Sequence, residues 1–202
     1  MTSHPVPVDS TGHHRGKRLF DLFVALALAP VAVPVCLLAA IPILFETGGA
    51  TPFFRQIRVG RDGVPFAILK LRTMAPGTRE GASHEVGVST LLASGRLYRR
   101  LKVDELPQLW NVLAGSMSLV GPRPHLPSQT VLTEERRKSG VLRMKPGITG
   151  VSQVAGLDMS DPMRLAVSDA GYMGDWSLAK DIAILWQTAM GKGNGDAASK
   201  TV

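Results

Sequence analysis

The chain has 202 residues, 45% of them hydrophobic, which is enough to bury one sizeable core and demands no second domain. Lys and Arg number 23 against 16 Asp and Glu, a formal charge of +7 that suits anionic partners such as phospholipid headgroups, nucleic acid or phosphorylated metabolites. The single cysteine, Cys36, excludes an internal disulfide, and the five histidines lack metal-ligand spacing, so a reducing compartment without structural zinc is the default.

Residues 1–14 are polar and aperiodic and read as a disordered tail, ahead of a single domain over residues 15–190. Residues 22–45, LFVALALAPVAVPVCLLAAIPILF, carry no charge and are long enough for a membrane helix. Pro30, Pro34 and Pro42 each remove an amide donor, so a break is expected near Pro34. Arg15, Lys17 and Arg18 precede the stretch and Arg55, Arg58 and Arg61 follow it, so both flanks look cytoplasmic by the positive-inside rule. A helix over 15–46 that enters the bilayer, bends at Val33 and Pro34 and leaves by the same face satisfies both. A single span is the alternative. A signal peptide fits worse, since the stretch is too long and no small-residue cleavage site follows.

Two runs rich in β-branched and aromatic residues, 52–60 (PFFRQIRVG) and 64–74 (VPFAILKLRTM), flank Arg61-Asp62-Gly63, a tight-turn signal, and predict a β-hairpin. Residues 75–90 are Gly- and Ser-rich and read as a loop able to act as a lid. Apolar spacing predicts helices over 91–101, 106–113, 133–144 and 178–190, the first carrying Arg96, Arg99 and Arg100 and expected at a membrane surface. Tyr172, Trp176 and Trp186 suit either a headgroup boundary or the core. Residues 191–202 read as a second disordered tail. The fold class expected is therefore α+β, mainly helical, with a re-entrant membrane helix, a small hairpin and interfacial amphipathic helices around a cytoplasmic site.

Chemistry concentrates in VDELPQLWN, residues 103–111. Pro107 is tolerated in a first helical turn, so a helix is expected to begin near Asp104 with Asp104 and Glu105 at its electropositive end. Capping is the simplest use of such an acid. Adjacent helical acids diverge by about 100°, which does not suit the opposed carboxylates of glycoside hydrolysis. They can instead divide labour, one attacking phosphorus while the other holds a divalent cation on substrate phosphates. Guanidinium and ammonium groups for such a site stand at Arg99, at Arg123 in GPRP (121–124) and at Lys145 in KPGITG (145–150). Each loop has a plain alternative, a polyproline docking motif for GPRP and a hairpin bend for KPGITG. No GxxxxGK[ST] loop occurs, which argues against ordinary nucleotide hydrolysis.

With KRLFD (17–21), FRQIRVG (54–60), LKLRTM (69–74), VDELPQLWNVLAGSMSLVGPRP (103–124) and KPGITGVSQVAG (145–156), the chain resembles the monotopic bacterial phosphoglycosyl transferases, the bacterial sugar transferase family. The resemblance runs from about residue 17 to residue 188. It implies a helix broken at Val33 and Pro34 and a soluble part resting on the cytoplasmic leaflet of the inner membrane. It also implies that Asp104 attacks the β-phosphate of a UDP-sugar, releasing UMP, after which polyprenyl phosphate takes the sugar phosphate from the enzyme. Glu105 would help hold Mg2+, and Arg99, Arg123 and Lys145 would neutralise phosphates. Asp169, Tyr172 and Asp181 match family positions without an evident catalytic role. The chain departs from the family at Lys145, where Arg is common, and at Val151, Ser152 and Ala155.

The expected partners are thus a UDP-sugar, polyprenyl phosphate and inner-membrane phospholipid, with a homo-oligomer admissible. A reading from another class is a membrane-anchored adaptor that docks a partner or acidic lipid through GPRP and its basic faces; its binding would survive loss of both acids. Nucleic acid is not expected, since no binding motif accompanies the charge.

Overall fold

The computed structural model describes residues 11–78, 90–157 and 159–193, with side chains from residue 15 onward. Of the expected tails, 1–14 and 191–202, residues 1–10 and 194–202 lie outside the described residues, as does most of the expected 75–90 loop.

Helix α1, Thr11–Glu46, starts inside the stretch read as a tail and continues uninterrupted through Pro30, Pro34 and Pro42. Here the structure differs from the expected break at Val33 and Pro34. A proline can bend a helix while the hydrogen bonds on either side of it persist, so the backbone need not leave the helical conformation. One stripe of α1 is buried, with Asp21, Ala25, Ala32, Cys36, Ala39 and Ile43 recurring at helical intervals. Most of these are small, which lets the globular part approach closely. Phe23, Leu26, Val31, Leu37, Leu38 and Phe45 on the other faces are exposed.

The hairpin forms as expected from strands β1 (Phe53–Val59) and β2 (Pro65–Leu71), antiparallel with Gln56 opposite Ile68 and Arg58 opposite Phe66. Asp62 and Gly63 both adopt positive φ in the intervening turn, the conformation for which Asp-Gly is selected. Two helices follow, α2 (Ala93–Leu101) and α3 (Gln108–Ala114). Asn111 on α3 donates from Nδ2 to Ala67 O at 2.8 Å and accepts from Leu69 N at 2.9 Å, so its amide covers the backbone edge of β2.

Strand β3 (Ser118–Val120) pairs in parallel with β4 (Gly147–Thr149), a contact that no sequence pattern announced because each strand has only three residues. Between them lies α4, Thr130–Lys138, rather than the expected 133–144. Gly140, with φ 77°, turns the chain left-handed, and Val141–Arg143 form only a short 3-10 turn. Two further helices were not anticipated: the single turn α5 (Val151–Val154) and α6 (Pro162–Gly174), whose Asp161 side chain caps Arg164 N. Helix α7, Leu178–Ala189, closes the described chain with Ser177 as its cap.

The main core gathers Ala25 and Ala32 of α1, Ile68 of β2, Leu109 and Val112 of α3, Val120 of β3, Tyr172 of α6 and Ile184 of α7. A smaller cluster joins Ala39 and Ile43 to Leu71, Leu92 and Tyr98. Both halves of α1 therefore pack on the globular part.

Candidate active site

Asp104 and Glu105 do not open α3. They occupy a 3-10 turn, Val103–Glu105, entered through Lys102 in the left-handed conformation, and Pro107 takes the position ahead of the helix without a side-chain cap. Successive residues of a 3-10 turn point about 120° apart, so the two acids meet different surroundings. Asp104 is buried at 7% exposure. Glu105 lines a pocket together with Arg58, Lys70, Gln108, Arg123 and the backbone at Gly147.

Within that pocket Glu105 Oε1 lies 3.5 Å from Lys70 Nζ and 3.8 Å from Arg123 Nη1. Gln108, which also lines the pocket, is 2% exposed, and its Nε2 is buried without a hydrogen-bond partner among the described residues. An orphaned buried amide donor costs about 1–3 kcal/mol. It marks a place suited to an acceptor oxygen.

The loop carrying Arg123 is held from two sides. Arg58 Nη1 on β1 donates to Pro124 O at 3.1 Å, and Arg136 Nη1 on α4 donates to Arg123 O at 2.7 Å. Arg136 in turn is anchored by Asp169 of α6 at 2.8 Å, and Asp169 also accepts from Ser152 of α5. Arg136 also donates to His125 Nδ1, which fixes that ring nitrogen as the acceptor, so Nε2 carries the proton and donates to Thr133 Oγ1. Burial, then Arg136 and Arg58, push the His125 imidazole down to about 3. It is neutral, and the loop above it is a fixed part of the interior. Gly121, Pro122 and Pro124 are all buried, which closes the polyproline-docking use of GPRP.

GPRP and KPGITG meet directly. Gly121 N donates to Thr149 O and Gly147 N to Pro122 O, at 2.9 and 3.0 Å. A Cβ on Gly121 would lie 2.5 Å from Lys145 O, and one on Gly147 only 2.1 Å from Gly121 N. Those two glycines are what permit the β3–β4 pairing beside the acids.

Of the phosphate-binding residues expected, Arg123 reaches Glu105. Arg99 instead donates from Nε to Thr73 Oγ1 at 3.0 Å and does not line the pocket. Lys145 opens onto another groove with Arg18, Arg61 and Arg143. Arg58, Lys70 and Gln108 were missed. Gln108 stands one helical turn beyond the acids, and the hairpin register sets Arg58 and Lys70 on one face with Gln56 and Ile68, so period-two alternation carried a signal for them. Asp169, Tyr172 and Asp181 are internal: Tyr172 Oη and Trp176 Nε1 both donate to Asp181, leaving Trp186, 67% exposed, as the surface ring.

A family model described as bacterial sugar transferase matches residues 12–192. The chain belongs to the bacterial sugar transferase family. It is 40% identical over 181 residues to the UDP-glucose:undecaprenyl-phosphate glucose-1-phosphate transferase of Caulobacter vibrioides, covering 85% of this chain and 67% of that one. The exopolysaccharide production protein ExoY of Sinorhizobium fredii is 34% identical over 85% of this chain and 83% of its own. The UDP-galactose-lipid carrier transferase of Erwinia amylovora is 37% identical, and there the chain spans only 39% of the relative's length. In this family member the pocket around Glu105 is the candidate active site. Glucose occurs in the first of these names and galactose in the last.

Proposed function

We propose that the chain transfers a sugar 1-phosphate from a UDP-sugar to polyprenyl (undecaprenyl) phosphate, releasing UMP, as the first membrane step of glycoconjugate or exopolysaccharide synthesis. The observation that carries this reading is the pocket lined by Lys70, Arg123, Gln108 and Glu105, the last of these one residue along the chain from buried Asp104. Fixed cations and a donor without a partner suit a diphosphate better than a neutral ligand.

The reaction is ping-pong. A carboxylate oxygen of Asp104 bonds to the β-phosphorus as the bond to the bridging oxygen breaks, and UMP departs with that electron pair. An oxygen of polyprenyl phosphate then bonds to the same phosphorus, and the Asp104 carboxylate leaves. Lys70 and Arg123 offset the charge that builds on the phosphoryl oxygens, and Gln108 Nε2 donates to one of them.

Mg2+ fits this donor set. Among the described residues no group of three or more His, Cys, Asp or Glu side chains could hold a metal ion, and Mg2+ is commonly held by one or two carboxylates with substrate phosphates completing the shell. Glu105 would hold it, and it would neutralise diphosphate charge.

The membrane arrangement rests on α1. Its Arg15–Glu46 part is long and apolar enough to cross a membrane, yet both ends bind the same globular unit. Lys17 donates to Asp181 near the start, while Ala39 O accepts from Tyr98 and Glu46 accepts from Ser94 N near the end. With both ends held to one globular unit, α1 does not place them on opposite faces of a bilayer, which supports a re-entrant, monotopic placement on the cytoplasmic side of the inner membrane. Exposed Leu97 and Leu101 on α2 and Ile182 and Trp186 on α7 suit an interfacial position.

The test is UMP release from a panel of UDP-sugars supplied with polyprenyl phosphate and Mg2+. Sustained release that depends on both substrates, with one equivalent of UMP and a glycosyl phosphate trapped on Asp104 when the acceptor is withheld, supports the proposal. Consumption of donor without UMP contradicts it.

A further inference from the structure

A second groove lies away from the acids. About 480 Å³ in volume, it is bordered by six cations, Arg15, Lys17, Arg18, Arg61, Arg143 and Lys145, against one acid, Asp21. These residues come from three separate regions: the first turns of α1, the hairpin turn, and the segment ahead of β4. Two of the six are committed. Lys17 bonds Tyr172 and Asp181, and Arg18 donates to Val112 O and Leu113 O at the end of α3. Arg61 keeps only a loose contact of 3.3 Å with exposed Asp62, Arg143 is exposed, and Lys145 has no partner among the described residues.

Like charges that outnumber the acids beside them repel one another, and partial burial adds to that cost. Lys145 registers both: burial first, then Arg18 and Arg61, depress its ammonium, with Asp21 opposing. Such a cluster is stabilised by an anion held between its free members.

Position selects the anion. The groove adjoins the turn of α1 directly before its uncharged run, where basic flanks of a membrane helix meet lipid phosphates. Leu19, on the groove's edge, is 68% exposed and offers an apolar contact beside the cations. Glu105 and Gln108 do not border this groove, so it is separate from the pocket assigned to the donor diphosphate.

We propose that this groove binds the phosphodiester headgroup of an anionic membrane phospholipid, with Arg61, Arg143 and Lys145 as its principal contacts and Arg15 at its rim. The proposal depends on the membrane placement of α1 but not on the chemistry at Asp104.

The full chain in neutral detergent, titrated with phosphatidylglycerol or with phosphatidylcholine, tests this by the lipid retained in native mass spectrometry. Wild-type protein should retain phosphatidylglycerol in preference to phosphatidylcholine. The triple variant Arg61→Gln/Arg143→Gln/Lys145→Gln should lose that preference by about tenfold or more, and Lys145→Arg should keep it. Equal retention of both lipids, or undiminished preference in the triple variant, overturns the proposal. So does displacement of the lipid by UMP or by a short polyprenyl phosphate, either of which makes the groove a substrate subsite. UMP release by the same samples is a separate readout, so the two readings fail independently. Protein that leaves the membrane fraction in high salt without detergent refutes the membrane placement itself.

Discussion

Asp181 on α7 is fully buried and bonded to Lys17 on α1, a residue 164 positions earlier in the chain. Its carboxylate also accepts from Tyr172 Oη and Trp176 Nε1, and burial, then the bond to Asp181, hold the Tyr172 phenol well above its ordinary range. The start of α1 is thereby fastened to α7 through one acid.

Removing one partner of that pair strands a buried charge. Lys17→Met is expected to lower stability by about 3 kcal/mol. The double variant Lys17→Met/Asp181→Asn should regain part of the loss, because no ionised group is then left alone. Thermal melts of the four proteins in one detergent check this; additive losses would show that the two residues do not act as a pair.

Exchange of the acids separates their roles. Asp104→Asn is expected to cut UMP release at least about a thousandfold and to abolish the covalent adduct, as loss of a nucleophile does. Glu105→Gln should slow turnover but still form adduct. Mass spectrometry of each variant with donor alone decides it, and adduct lost in Glu105→Gln but kept in Asp104→Asn would reverse the assignment.

Gln108 gives an unusual pairing of effects. Its Nε2 has no partner among the described residues, so Gln108→Leu removes an orphaned donor and should leave stability unchanged or slightly raised. If that donor meets a phosphoryl oxygen, kcat/KM for the donor sugar falls about tenfold or more, the worth of a hydrogen bond to a charged group. A residue that served packing alone would move the melting temperature and spare the kinetics.

His125 sets an acid limit. Its folded-state value, about 3, lies below the ordinary 6.5, so between these the unfolded chain binds the extra proton. Stability contributed by the neutral ring is complete above pH 6.5 and declines as pH falls towards 3, by up to about 1.4 kcal/mol per pH unit. Denaturant midpoints for wild type and His125→Gln across pH 7.5 to 5 should converge as pH drops; parallel curves would mean the ring is not buried neutral.

Long local patterns are legible in the sequence. The uncharged run of α1 and the alternating strands around Asp62-Gly63 are properties of neighbouring residues, so α1, β1 and β2 were all visible in the sequence. Short or interrupted elements were not. Strands β3 and β4 have three residues each, too few for a period to show, and Gly140 cut the expected 133–144 helix at Lys138. The 3-10 turn under Asp104 and Glu105 follows from left-handed Lys102, which no propensity announces.

The sequence alone determined which chemistry was on hand: paired acids, basic loops and an apolar helix flanked by positive charge. Only the tertiary structure decided which cations meet which acid. Lys70, far from Glu105 in the chain, comes to 3.5 Å because the hairpin face that carries it lies over the acid turn. Lys145 stands two residues before Gly147 and yet faces a different groove. Residues two apart share a face only within one strand; Lys145 lies ahead of β4, so its direction is set by the turn through Pro146 and by what packs there, which linear order does not record.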